Sequence, residues 1–404
     1  MIAAIPMLGV SCGVATSQVT VLNGQVQLGD VLSSGTLDVV DQTDDTTAVT
    51  TATGNAFSGS TVAGSVDVQS TQAMSGAARA DTHINVAVNS GVNTTQTTAV
   101  TGNTVDVGTS AGGALTGSFS QVTTGAGTGQ DLYAHSQITG NTAQTDVMSA
   151  DNQAIANSVG FAIADGQINA SVNQANSADL LADGGVIFQY ITTQAVLSSS
   201  AVANNVTSAT SGTVTQALSV TQSSTSTIVQ GSHWGAYGTS QDTVTSATSS
   251  ANNANLTNTG GSLDTTVDQS NTSYVRAQAE ETSFAYGGAQ VVAYGVGNSN
   301  LSGNQGPATF IDNTQSNSVG GVQSIANFSG NSGFDAQVSS TAIGNAVTGF
   351  ACAPCQATLD ARNNQTNSAD IGASSSVTVS GSGRSSRATT TAVGNTASFY
   401  VTTP

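Results

Sequence analysis

The sequence predicts an all-β, repetitive β-solenoid, or β-helix, on three observations. These are a repeat of about 48 residues, strand-like alternation of small apolar and polar side chains, and a composition that disfavours helices throughout.

The repeat is carried by two short motifs. One is a small-aliphatic-Gly-Asn step, which reads TATGN at Asn55, AVTGN at Asn103, QITGN at Asn141, GVGN at Asn298, TAIGN at Asn345 and TAVGN at Asn395. Asn-Asn takes its place at Asn205 and Asn253. The other is Gln-x-Asn-Ser/Thr, beginning at Gln174, Gln269, Gln315 and Gln365, with degenerate forms at Gln72, Gln121 and Gln222. Successive glutamines lie 49, 53, 48, 47, 46 and 50 residues apart, and the next motif asparagine follows each glutamine by 29–31 residues except in the second copy, where the step is 20.

Ile84, Val86 and Val88, and again Val377 and Val379, fall at every second position, as half-buried strands require. Gly, Asn, Ser, Thr and Val are poor helix formers. Solenoid coils commonly take about twenty to thirty residues, so the repeat is expected to hold two coils, about sixteen in all, in a rod of roughly 75 Å. In a narrow coil the recurring amides would stack as ladders, with Gln174, Gln269, Gln315 and Gln365 in one series and Asn103, Asn298, Asn345 and Asn395 in another. Gly-Asn would supply left-handed backbone at a tight corner. An antiparallel β-sandwich series is the alternative architecture.

Composition narrows the function. The chain has no lysine, five arginines and 23 acidic residues, for a net charge of -18. Such a surface repels phosphate backbones, so no nucleic-acid partner is expected. It favours amines, cations or a cationic polymer. With four prolines and charged residues at only 7%, the chain does not have the make-up of a disordered one. Residues 1–16, apolar over Ile2 to Val10 and lacking a basic start, read as a truncated or atypical export signal, leaving 17–404 as one solenoid domain. Cys352 and Cys355 form a CxxC that reads as a local disulfide closing a turn in an oxidising compartment.

No motif carries chemistry. His83, His135 and His233 stand in three different units without an HxH or HExxH spacing, so no metal, cofactor or catalytic site is expected. Asp44 and Asp45 read as a solvated turn. Trp234, Tyr237, Phe284 and Tyr286, with Phe188 and Tyr190 one unit earlier, fall midway between glutamine and asparagine. They either stack on sugar rings from one face or cover a widened part of the core. The enzyme alternative is a β-helical polysaccharide lyase or tailspike-like hydrolase.

With Gln-x-Asn-Ser/Thr and Ala-[VI]-Gly-Asn recurring in order, and the closing NNQTNSAD and TTTAVGNTASFYV, the chain resembles the holdfast anchor protein D family of stalked alphaproteobacteria. The resemblance implies a secreted, non-catalytic protein at the outer membrane that fastens an adhesive polysaccharide holdfast to the cell. It also implies holdfast anchor proteins A and B as partners, the first amyloid-like and the second an outer-membrane lipoprotein. The amide ladders are similar to those of curlin repeats, which brings in self-association.

Overall fold

A computed structural model describes residues 18–127, 129–352 and 357–402. The export segment read at 1–16 lies outside the described residues, as do Cys12 and Cys355; Cys352 ends the last strand before that second gap. Among the described residues every regular element is a strand, and all sixteen belong to one parallel sheet. The chain is a β-solenoid.

Each coil has three legs. The first coil is β1 (Gln18–Gln27), β2 (Val31–Gln42) and β3 (Asp45–Val62), and the second is β4 (Ser65–Met74), β5 (Ala78–Ser90) and β6 (Asn93–Ser110). After β7 (Ala114–Thr123) the corners become so smooth that legs merge into long bent strands: β8 (Leu132–Asn176), β9 (Leu180–Ser224), β10 (Ile228–Asn271) and β11 (Tyr274–Gln305). The stack closes with β12 (Ala308–Asn317), β13 (Val322–Cys352), β14 (Thr358–Asn367), β15 (Ile371–Val379) and β16 (Ser385–Thr402).

Register fixes the size of a coil. Gln18 pairs with Ser65, Val31 with Ala78 and Asp45 with Asn93, so a strand meets its neighbour one whole repeat later. The expectation of two coils per repeat is therefore corrected to one wide, three-sided coil of about 48 residues. A ladder residue recurring only every second coil would sit about 9.6 Å from its counterpart, too far for the amide bonds that join these residues. One glutamine per coil, from Gln25 through Gln72, Gln121, Gln174, Gln222, Gln269 and Gln315 to Gln365, counts eight coils among the described residues. At about 4.8 Å per step the stack is about 34 Å from first coil to last, half the length expected of sixteen.

The interior follows from strand alternation. Along β5, Ala78, Ala80, Thr82, Ile84 and Val86 point inward, while Arg79, Asp81, His83 and Asn85 point out. Val88, expected to extend that inward set, is 53% exposed. Small residues form continuous stripes, one running from Ala52 to Ala342 through the length of the stack. Larger residues such as Phe119, Phe161, Ile168 and Leu218 fill a second corner. The acidic residues have structural work. Asp30, Asp131 and Asp179 each accept a backbone N–H from the corner of the next coil, at 2.8 Å from Ala77, 3.1 Å from Asp179 and 2.8 Å from Thr227. Asp38, Asp45 and Asp183 face Asn85, Asn93 and Ser232, each of which donates to the carboxylate. Neutral donors thus separate charges that would repel if stacked directly.

Candidate functional site

The most ordered feature of the molecule is a pair of facing amide ladders inside the coil. On the first leg each glutamine Nε2 donates to the Oε1 of the glutamine one coil earlier, at 2.7–2.8 Å, in seven successive bonds from Gln72→Gln25 to Gln365→Gln315. On the third leg each asparagine Nδ2 donates to the Oδ1 of the asparagine one coil later, at 2.7–2.9 Å, from Asn55→Asn103 to Asn345→Asn395. The two ladders therefore run with opposite polarity.

They are also clasped together. The second hydrogen of each glutamine amide goes to the carbonyl of the residue after a ladder asparagine, as Gln174 to Asn205 and Gln222 to Asn253, both at 2.9 Å. From Asn55 to Asn345 the second hydrogen of each asparagine amide goes to the carbonyl after a ladder glutamine, as Asn157 to Ala175 at 3.0 Å and Asn204 to Ser223 at 2.9 Å. Between the end rungs each amide N–H thus has a partner in the buried interior, which is the condition for burying it.

Gln174, Gln269, Gln315, Gln365, Asn103, Asn298, Asn345 and Asn395 all occupy rungs, and so do Gln72, Gln121 and Gln222. Three asparagines do not sit where sequence phase put them. Asn204 and Asn252, not Asn205 and Asn253, are the rungs, and Asn157, not Asn141, is the rung of the third coil. In the third coil the cause is the corner 124–131, which is five residues longer than its counterpart 75–77 and pushes the rung along the sequence without moving it in space; in the next two coils the first asparagine of the Asn-Asn pair is the rung. In these three coils Ala156, Ala203 and Ala251 replace the motif glycine. Alanine is tolerated because the backbone there is not left-handed; the motif glycines do not have positive φ, contrary to expectation. They serve close approach instead: a Cβ on Gly102 would lie 2.6 Å from the carbonyl oxygen of Ala156.

The aromatic residues divide between core and surface. Tyr237 and Tyr286 are 5% and 4% exposed, and Phe188 is fully buried, so these three cover the core and are withdrawn from any stacking face. Trp234 is partly exposed, its indole lying across Gly185 of the preceding coil, where a Cβ would come 2.5 Å from the ring. Phe284 is 67% exposed. Trp234 pairs with Glu280, four residues before Phe284, so the two rings do not share a row.

Beneath this region the widened core holds two ionisable groups. Glu281 accepts hydrogen bonds from Thr243 at 2.5 Å and Thr245 at 2.9 Å, and burial raises its pKa to about 7 despite them. Burial lowers His233 to about 4, opposed by its contact with the Ser198 carbonyl. The outer surface carries open troughs. One, about 710 Å³, crosses four coils along the row Ser58, Asp106, Gly160 and Thr207, and another of about 340 Å³ is lined by Asn169, Ser219 and Asp264. Each carries one carboxylate, Asp106 or Asp264.

Fold and interior together define a repetitive parallel β-solenoid braced by side-chain amides. Residues 40–321, from the first coil into the seventh, match the family of holdfast attachment protein D, and the chain belongs to that family. Its role is accordingly in holdfast attachment at the cell surface. Searches of curated proteins and of solved structures give no match to it.

Proposed function

We propose that this chain is a secreted, non-catalytic anchor that holds an adhesive holdfast polysaccharide against the outer membrane, together with holdfast anchor proteins A and B. The family match carries the reading. The architecture supports it, because the coil is braced along its whole length and the two troughs described hold one carboxylate apiece, whereas glycoside hydrolysis ordinarily uses a pair.

The polymer contact is electrostatic and aromatic. With 23 acidic against five basic residues, the surface attracts a partly deacetylated, cationic polysaccharide, and Trp234, Phe284 and Tyr190, the last 47% exposed, are the aromatic side chains named above that stay accessible to a sugar ring. Ladder polarity supports self-association. Among the described residues the first coil presents the Gln25 amide N–H and the Asn55 oxygen and the last the Gln365 oxygen and the Asn395 amide, so a second copy stacked head to tail would place donor on acceptor in both ladders.

The test is sedimentation of the purified chain with holdfast polysaccharide across a salt series, with Trp234→Ala in parallel. Binding should weaken as salt shortens the screening length from about 10 Å at 0.1 M to about 3 Å at 1 M, and Trp234→Ala should bind less at every salt. Binding indifferent to both would refute this mode of contact.

A further inference from the structure

His83 and His135 are 52 residues apart in sequence and belong to different coils, yet the 54-residue register of this part of the stack brings them together on the outer face of the second leg. Asp81 pairs directly with His135 across β5 and β8, and His83 lies two residues further on the same face of β5. Both imidazoles turn a nitrogen toward one oxygen: His83 Nε2 lies 3.1 Å and His135 Nδ1 2.8 Å from Asp81 Oδ1. All three ligand atoms fall within 4.8 Å of one another.

We infer that Asp81, His83 and His135 form a binding site for a first-row divalent transition ion of the zinc class, with a coordination position open to the outside. Bonds of about 2.0–2.2 Å to such an ion place tetrahedral ligand atoms about 3.3 Å apart, close to the 3.1 and 2.8 Å that separate the two imidazoles from Asp81 Oδ1. Two imidazoles and one carboxylate suit zinc, nickel or copper and disfavour calcium and magnesium, which take oxygen ligands. The site is held ready. Its ligands stand on strands paired to each other, and the Tyr133 ring stacks on His135 with centroids 5.5 Å apart and planes at 26°. The carboxylate of Asp183 follows His135 in the same row, in a chain whose net charge is -18, so the surrounding field favours a cation. Side-chain exposures of 34%, 46% and 24% for His83, Asp81 and His135 leave room for a fourth ligand from water, a polymer or a second protein.

The test is calorimetric titration of the full chain with Zn²⁺, alongside His83→Ala, His135→Ala and the double variant, with circular dichroism confirming the β fold of each. One equivalent should bind to the parent chain and none should be displaced by a large excess of Mg²⁺ or Ca²⁺. Each single variant should lose about a hundredfold in affinity or more, since even outer-shell changes cost about 10–100-fold. Co²⁺ in place of Zn²⁺ should give an intense visible band that disappears in the double variant. A parent chain that takes up no Zn²⁺, or a folded double variant that binds as tightly as the parent, overturns the assignment.

Discussion

Replacing Glu281 with glutamine should uncover a pH dependence that the native chain conceals. Glu281 and His233 are 2% and 1% exposed and are shifted in opposite directions. Folding raises Glu281 from 4.5 to about 7, so its contribution to stability is complete below pH 4.5 and is lost as pH rises through 7. Folding lowers His233 from 6.5 to about 4, so its contribution is complete above pH 6.5 and is lost as pH falls through 4. Between pH 4.5 and 6.5 the native pair holds one proton, on Glu281, and the unfolded pair also holds one, on His233. Equal proton counts give no slope.

Glu281→Gln removes one side of that balance. The stability of the variant relative to the parent should climb by about 1.4 kcal/mol per pH unit from pH 4.5 to 7, about 3 kcal/mol in all. Glutamine keeps an oxygen for Thr243, so the acid-side offset should be small. Urea unfolding of both proteins at about pH 5 and about pH 7.5 in the same salt gives the difference directly, and other carboxylates cancel in it. A difference that does not change with pH would mean that Glu281 titrates as it does in water, and would refute the buried, protonated carboxyl. His233→Gln should show the mirror image, losing stability relative to the parent as pH rises from 4 to 6.5.

Two further predictions concern the ladders. Gln222→Leu leaves the Gln174 oxygen, the Asn253 carbonyl and a Gln269 N–H without partners in the interior, and should cost about 3–6 kcal/mol in urea unfolding, whereas the same change at the half-exposed end rung Gln365 should cost about 1 kcal/mol; equal costs would contradict a buried ladder. Asn395→Asp keeps the oxygen that accepts from Asn345 but puts a second oxygen where the terminal donor was, so end-to-end association seen by sedimentation velocity should fall, and an unchanged distribution would exclude stacking through this ladder.

The period, the strands and most rungs were legible because a ladder needs the same side chain at the same phase in every coil, and that demand is written into Gln174, Gln222, Gln269 and Gln315 almost without drift. The number of coils per repeat was legible in principle too. A glutamine appearing once in about 48 residues can bond its counterpart only if the coil is that long, and the usual size of solenoid coils obscured this. The third rung was hidden because the corner 124–131 adds length locally and alanine stands in for glycine at Ala156. Gln25 escaped because its motif lacks the following Asn-Ser. The aromatics Tyr237 and Tyr286 share a sequence phase with Trp234 and Phe284 but not a direction: Tyr237, three residues after Trp234, takes the opposite face by strand alternation, while Tyr286, two residues after Phe284, is buried where Phe284 is exposed. His83 and His135 have no spacing signal for the opposite reason: sequence spacing identifies ligands on one segment, and this pair is joined by register across coils.

The most direct test of the anchor is to spin the full chain with purified holdfast polysaccharide and to assay the supernatant for new reducing ends. Co-sedimentation with no release of reducing ends is the predicted result. Cleavage of the polymer would contradict it and turn attention to the troughs around Asp106 and Asp264.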